Sequence, residues 1–275
     1  MILILGGGII GLATGWYLAQ AGADVTVLEK QDKLPKNATW ASGGVIAPWS
    51  YESPGIEPLI PFQRAGRAAW PSFAEALAEA TGTDIDYVDN GLLHVALSDE
   101  GLADLNHLLA FQERVGVPFE RLTGKEARQI EPNLSETIIA GALMADNHQV
   151  DNRKVSEALT AASVASGGQI RRGSQVDEVV ISNGRVTGVR VGDEKLEAET
   201  VVLAAGAWSQ GIAGLPPAVR PPVFPLKGQM LTVQMDPAQP LTRQKILGLS
   251  TYLMPRTDGR LLIGATVEDV GFDET

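Results

Sequence analysis

A chain of 275 residues, 44% hydrophobic and 20% charged, is long enough for one large domain or two ordinary ones, each with its own core. Its formal charge of −11, from 33 acidic and 22 basic residues, opposes phosphate neutralisation, so nucleic acid is not an expected partner. The absence of cysteine excludes disulfides, thiolate metal sites, a Cys nucleophile and a cofactor attached through sulfur.

Met1–Leu5 is fully apolar, the pattern of a buried parallel strand. It does not read as a signal peptide: Gly6, Gly7 and Gly8 interrupt the apolar run, and the first basic residue is Lys30. Nor does any run of about 18 apolar residues offer a membrane span. The expectation is a cytoplasmic protein with no membrane partner.

The glycine turn leads into a helix over Ile9–Ala21, closed by Gly22, and Asp24–Leu28 is the next strand, with β-branched Val25 and Val27. Strand, turn, helix and strand within 30 residues make a βαβ unit. A small, glycine-rich stretch, Thr39–Pro48, follows. Pro54, Pro58 and Pro61 then break the chain before a helix over Phe62–Ala80. Beyond it the pattern predicts a strand near Gly91–Leu97 and a helix near Glu100–Val115. Thr123 to Glu126 is a capping-box start for a short helix ending at Glu131-Pro132.

A further helix spans Asn152–Ser166 and stops at Gly167-Gly168. Gln175–Ser182 and Arg185–Val191 flank Asn183-Gly184, a strong hairpin signal. Lys195–Thr200 pairs next, and Val201–Ala205 is a second apolar strand running into Gly206. From Val223 to Thr266, strands alternate with proline turns.

The functional signal lies at the first turn. Gly6, Gly8 and Gly11 form G-x-G-x-x-G between the first strand and the first helix. The first glycine makes the tight turn, the second admits a pyrophosphate to the backbone, and the third lets helix and strand pack closely. The helix amino end then offers N–H groups and a partial positive charge. Glu29 ends the second strand, 23 positions after Gly6, where a carboxylate accepts from a ribose 2′-hydroxyl and disfavours a 2′-phosphate. Dinucleotide binding is therefore expected, although this motif does not separate NAD from FAD.

The βαβ unit, Ala41-Ser42-Gly43-Gly44 and Ala204-Ala205-Gly206-Ala207-Trp208-Ser209 together resemble the D-amino-acid oxidase superfamily of flavoproteins. Within it, Lys227-Gly228-Gln229-Met230, Tyr252 to Arg256, Asp258-Gly259-Arg260, Gly264-Ala265-Thr266 and Gly271-Phe272-Asp273 are most similar to the glycine oxidases of thiamine biosynthesis. The resemblance spans essentially the whole chain, and its last 50 or so residues are its most specific part.

It implies an α/β fold: a Rossmann-like FAD-binding domain from residues 1–80 and 151–215, and a β-rich substrate domain from 81–150 and 216–275. It implies non-covalent FAD. Ile9 and Ile10 would lie against the pyrophosphate with Gly6, Gly8 and Gly11, and Glu29 and Lys30 near the adenosine. Val176 would meet adenine through its backbone. Ala38, Thr39, Gly43, Gly44 and Val45 would line the flavin and ribityl chain, with Ala205 and Gly206 completing the cofactor set. Tyr252 would face the substrate beside Val267. Gly43 and Gly44 also have a direct physical reading, since a flat ring lies against backbone only where side chains are missing.

The implied reaction is oxidative deamination of glycine or a similar small amino acid: hydride to the flavin, an imine product, and O2 reduced to H2O2. No protein side chain is assigned as catalytic. Relatives are often homo-oligomers. They also continue beyond the position of Thr275 with a segment carrying the arginines that grip the substrate carboxylate, so this chain is expected to be either a fragment of a longer product, the favoured reading, or a shortened protein whose activity is in question; in both the substrate domain is incomplete. The rival readings are a D-amino-acid or sarcosine dehydrogenase with another electron acceptor, a non-catalytic FAD-binding module, and an NAD-dependent dehydrogenase sharing only the glycine fingerprint.

Other groups have plainer explanations. His94, His107 and His148 lack ligand spacing, and Asp84, Asp86 and Asp89 lack the glycine and terminal Glu of a calcium loop, so no metal is expected. Ser42 has no G-x-S-x-G frame. Trp70 and Phe73 read as core, and Trp208 equally as packing residue or cofactor contact. Asp151-Asn152-Arg153 replaces the family's Asp-Pro-Arg, the lost proline being a helix-start preference.

Overall fold

The structure is a computed structural model and describes residues 1–33, 37–47, 56–248 and 251–273. Strand β1 (Ile2–Leu5) runs through the glycine turn into helix α1 (Ile9–Gln20) and strand β2 (Val25–Leu28). Then come α2 (Ala38–Ala41), β3 (Val45–Ile46), α3 (Ile60–Thr81), β4 (Leu92–Ala96) and α4 (Asp99–Arg114). They are followed by β5 (Glu120–Thr123), α5 (Gly124–Ile130), β6 (Ala140–Met144), β7 (His148–Gln149), α6 (Asn152–Ala165) and β8 (Gln169–Arg171). The rest is mainly strand: β9 (Glu178–Ser182), β10 (Arg185–Val191), β11 (Glu194–Glu197) and β12 (Thr200–Leu203). The last four strands are β13 (Met230–Gln234), β14 (Lys245–Gly248), β15 (Thr251–Pro255) and β16 (Arg260–Gly264).

The N-terminal strand sits inside a four-stranded parallel sheet of order β12-β1-β2-β8. Both faces are covered, which is why β1 and β2 are apolar at nearly every position. On one face α1 and α6 pack closely, and Leu12, Trp16, Val155 and Leu159 meet Leu77 of α3 in the core. On the other face Leu3, Leu5 and Leu28 meet Val179 and Val189 of the three-stranded sheet β11-β10-β9 and Ala198 just after it. Its hairpin turns on Asn183 (φ 50) and Gly184 (φ 73), both left-handed, as the dipeptide predicts.

A seven-stranded sheet of order β13-β16-β15-β14-β4-β6-β5 forms the second layer system. On one face, α4 contributes Leu105, Leu109 and Phe111 against Leu92, Ala96, Ala142 and Met144. α5 starts at the expected capping box: Glu126 N–H donates to the Thr123 hydroxyl (3.3 Å) and Thr123 N–H to the Glu126 carboxylate (2.7 Å).

Several expectations shift. The helix expected over Phe62–Ala80 starts at Ile60 and holds Pro61 in its first turn, where a missing N–H costs nothing; Pro71 lies in its interior. Pro54 and Pro48 lie outside the described residues. The strand expected over Gln175–Ser182 begins at Glu178, and Thr200 joins the parallel sheet instead of the meander. β3, β5, β6, β7 and β8 were not expected. Ala140–Met144, reading Ala-Gly-Ala-Leu-Met, has weak strand preference and is extended because β4 and β5 pair with both its edges.

Candidate functional site

A cavity of about 1450 Å³ opens between the two systems. Gly6, Gly8, Ile9, Ile10, Glu29, Lys30, Ala38, Thr39, Gly43, Gly44, Val45, Val176, Ala205 and Gly206 all line it, and so does Tyr252. Gly11 stands behind the wall, its Cα so close to β1 that an added Cβ would lie 2.0 Å from the Gly6 carbonyl oxygen. Val267 does not line the cavity and is 77% exposed. The wall residue of that segment is Ala265; beyond it, Glu268 pairs with Lys227, and Val267 faces outward.

The glycine turn is held by side chains from its neighbours. Gly6 has φ +115, and Gly8 is the extended residue before α1. The buried Glu29 carboxylate accepts from Gly7 N–H (2.7 Å) and Gln31 N–H (2.9 Å). The Thr39 hydroxyl accepts from Ile9 N–H (3.1 Å), fixing the amino end of α1 to the 37–47 segment. The Lys30 ammonium sits 3.4 Å from the Trp208 ring centroid, so that tryptophan is a cavity-wall residue carrying a cation.

The opposite wall is one face of the seven-stranded sheet. Alternation along β14 puts Lys245 and Leu247 on one side, Leu247 opposes Tyr252, and Tyr252 with Met254 continues that side onto β15. All four line the cavity with Met230. The Tyr252 hydroxyl contacts Met230 Sδ at 2.7 Å and lies 3.1 Å from where a Gly43 Cβ would sit.

Sequence reasoning missed the buried charges. Lys245 has no exposed surface, and its Nζ donates to the Asn147 carbonyl (2.9 Å) and Asn90 Oδ1 (3.3 Å). Burial, opposed by Asp89 and aided by Arg256, pushes its pKa down to about 7. Arg256, also buried, donates to the Gly43 carbonyl (2.7 Å), to Asn152 Oδ1 (3.3 Å) and to the Val150 carbonyl. Asp151 caps α6 through Arg153 and Lys154 N–H and pairs with Arg260 at 2.6 Å. Burial pushes its carboxyl up, but Arg260 and those amides pull it below the usual range. The remaining histidine of interest, His148, is buried between the Tyr87 hydroxyl and Arg67; burial, Arg67 and Lys245 push its pKa down to about 4. A Lys or Arg in a sequence pattern reads as solvated surface, and no periodicity marks the exceptions.

The family model described as FAD dependent oxidoreductase matches residues 1–275. The chain is 36% identical over 276 residues to the bifunctional protein ThiO/ThiG of Synechocystis, covering 98% of itself and 39% of that protein. It is 32% identical to a glycine oxidase of Pseudomonas putida, covering 73% of the relative. Among solved structures it is similar to glycine oxidase from Geobacillus kaustophilus, with a TM-score of 0.89 and 30% identity over 99% of this chain and 72% of that one. Glycine oxidase from Bacillus cereus gives a TM-score of 0.88 at 30% identity, with 100% of this chain and 73% of that one covered. The chain thus spans about two fifths of the bifunctional relative and under three quarters of the oxidases. No helix among the described residues is long and apolar enough to cross a membrane.

Proposed function

The chain belongs to the FAD-dependent oxidoreductase family, and from that premise we propose that it oxidises an amine next to a carboxylate, with glycine or a similar small amino acid as substrate. The observation that carries this reading is the single cavity lined both by the glycine turn and by the Tyr252 face of the seven-stranded sheet.

The residues present fit the family's cofactor. The cavity exceeds the roughly 300–1,000 Å³ of an ordinary small-ligand site, as a large dinucleotide requires. Gly6, Gly8, Gly43 and Gly44 leave this stretch of its wall to backbone. In this reading Gly6, Gly8, Ile9 and Ile10 hold the pyrophosphate, and Glu29, Lys30 and Val176 the adenosine. Ala38, Thr39, Gly43, Gly44 and Val45 bear on the flavin, and Ala205 and Gly206 complete the wall.

Bound FAD supplies a two-electron acceptor for the α-hydrogen and its electron pair, leaving an imine, with O2 as the final acceptor and H2O2 as product. The protein's part is orientation and solvent exclusion. Tyr252 faces the substrate, and Met230, Leu247 and Met254 give its surroundings an apolar wall. Such a wall disfavours an ammonium and so favours the neutral amine, whose lone pair assists loss of hydride. We place the imine product in thiazole formation for thiamine, as the resemblance to glycine oxidases implies.

Absorption spectra of the purified chain with FAD, before and after anaerobic glycine, test this reading. Bleaching of the yellow band, then peroxide on admitting air, is the expected result. A yellow protein that glycine does not bleach would sink the substrate claim. Bleaching without peroxide would favour the dehydrogenase alternative. A chain that takes up no FAD would remove the cofactor assignment for this chain.

A further inference from the structure

Two arginines on the hairpin joining β15 and β16 reach the start of α6, and they do different things. Arg260 pairs with Asp151, the cap of α6. Arg256 instead spans the gap between layers: the residue is 6% exposed, and its guanidinium holds the carbonyls of Val150 and Gly43 and the side chain of Asn152.

Asn152 carries the connection onward. Its amide nitrogen donates to the carbonyls of Thr39 (2.6 Å) and Trp40 (2.9 Å), and Thr39 in turn holds Ile9 at the glycine turn. Gly44 accepts from Val150 N–H at 3.0 Å, and Gln149 donates to the Pro255 carbonyl at 2.9 Å, so the same junction is closed from both sides. A continuous run of hydrogen bonds therefore leads from the strand bearing Tyr252 to the segment Thr39–Val45 and on to α1.

We propose that Arg256 is a positioning residue that sets the distance between the Tyr252 wall and the Gly43-Gly44 backbone, and so between substrate and flavin. The proposal rests on the reading of those two walls given above. The fork geometry explains why arginine stands here: one planar group satisfies several fixed acceptors at once, which an ammonium on a flexible stem does not. Loss of this contact frees Gly43 to move relative to Tyr252, and displacements near 1 Å cost about a hundredfold in rate.

The test compares Arg256→Met, Arg256→Lys and Arg260→Met in the FAD-loaded chain. The expected result is a kcat at saturating FAD and glycine at least about tenfold below the parent in both Arg256 variants, with Arg260→Met within about twofold. FAD affinity is expected to fall about tenfold and the visible flavin band to shift in the Arg256 variants alone. Parental FAD affinity and spectrum in both Arg256 variants would overturn the proposal. So would the same losses in Arg260→Met, because they would follow from loosening α6 in general. Where Arg256→Met does not fold, Arg256→Lys keeps the buried charge and decides alone. If glycine fails to reduce even the parent, the amine-oxidising reading falls, while affinity and spectrum still judge Arg256.

Discussion

The two ends of the cavity are built by opposite means. The Gly6–Gly11 end is mainly backbone, folded by spacing within one βαβ unit, trimmed to glycine where chains touch and braced by the Glu29 and Thr39 side chains. The Tyr252 end is held by two buried cationic side chains, Lys245 and Arg256, whose partners come from segments as distant as Asn90, Asn147 and Val150. A backbone-built end has one geometry, and at Gly6 and Gly11 it leaves no room for an added carbon. An end held by side chains tolerates volume better, but its integrity depends on protonation and on complete hydrogen bonding.

Gly11→Ala should produce the largest effect. In an ordinary helix the change would stabilise by up to about 1 kcal/mol. Here the new Cβ would lie 2.0 Å from the Gly6 carbonyl oxygen, a backbone atom that cannot move without displacing the turn. We expect a loss of about 3 kcal/mol or more in denaturant unfolding, together with loss of retained FAD. A stable Gly11→Ala that keeps its flavin would erase the distinction between the two ends.

That distinction also explains what could be read in advance. β1, α1 and β2 were legible because both signals, apolar runs and glycine spacing, are local. Glu29 was legible by position, but its hold on Gly7 N–H was not. The five unexpected strands owe their extension to partners far away in sequence, as the pairing of Ala140–Met144 with β4 and β5 illustrates. Lys245 gave no signal at all, because burying an amine is a decision of the whole fold. Resemblance indicates which segment borders the cavity; within it Ala265 lines the wall while Val267, beside the Lys227–Glu268 pairing, is exposed, and its place at the substrate stays a proposal. The division into 1–80 with 151–215 and 81–150 with 216–275 we retain as a proposal, motivated by the strands of the seven-stranded sheet.

Lys245 sharpens the contrast through pH. Its pKa is about 7 in the folded chain against about 10.4 in an unfolded one, so the folded state binds fewer protons between those values. Stability is therefore expected to rise with pH above about 7, by up to roughly tenfold in the folding constant per unit, and to level off near pH 10. In Lys245→Met this contribution disappears, so the parent-minus-variant difference should climb across that window and stay flat below it. Denaturant titrations of both proteins at a series of pH values measure it. A flat difference throughout would mean that Lys245 stays charged in the fold.

Glu29→Gln is the smallest change, and it asks whether the backbone end also needs a side chain. The carboxylate gives one oxygen to Gly7 N–H and the other to Gln31 N–H. An amide has a single oxygen, so one of these donors must face an NH2 group. Gly7 lies at the buried turn, whereas Gln31 is only partly buried and can turn its amide toward water. The oxygen should therefore stay with Gly7, limiting the cost to about 1 kcal/mol in the FAD-free chain, read from its denaturation midpoint. If Glu29 also accepts from the ribose, FAD affinity must fall as well, because the amide nitrogen then faces the ligand. A stability loss with unchanged FAD affinity would leave Glu29 as a brace for the turn alone, and the backbone would be the whole of that end's grip on the cofactor.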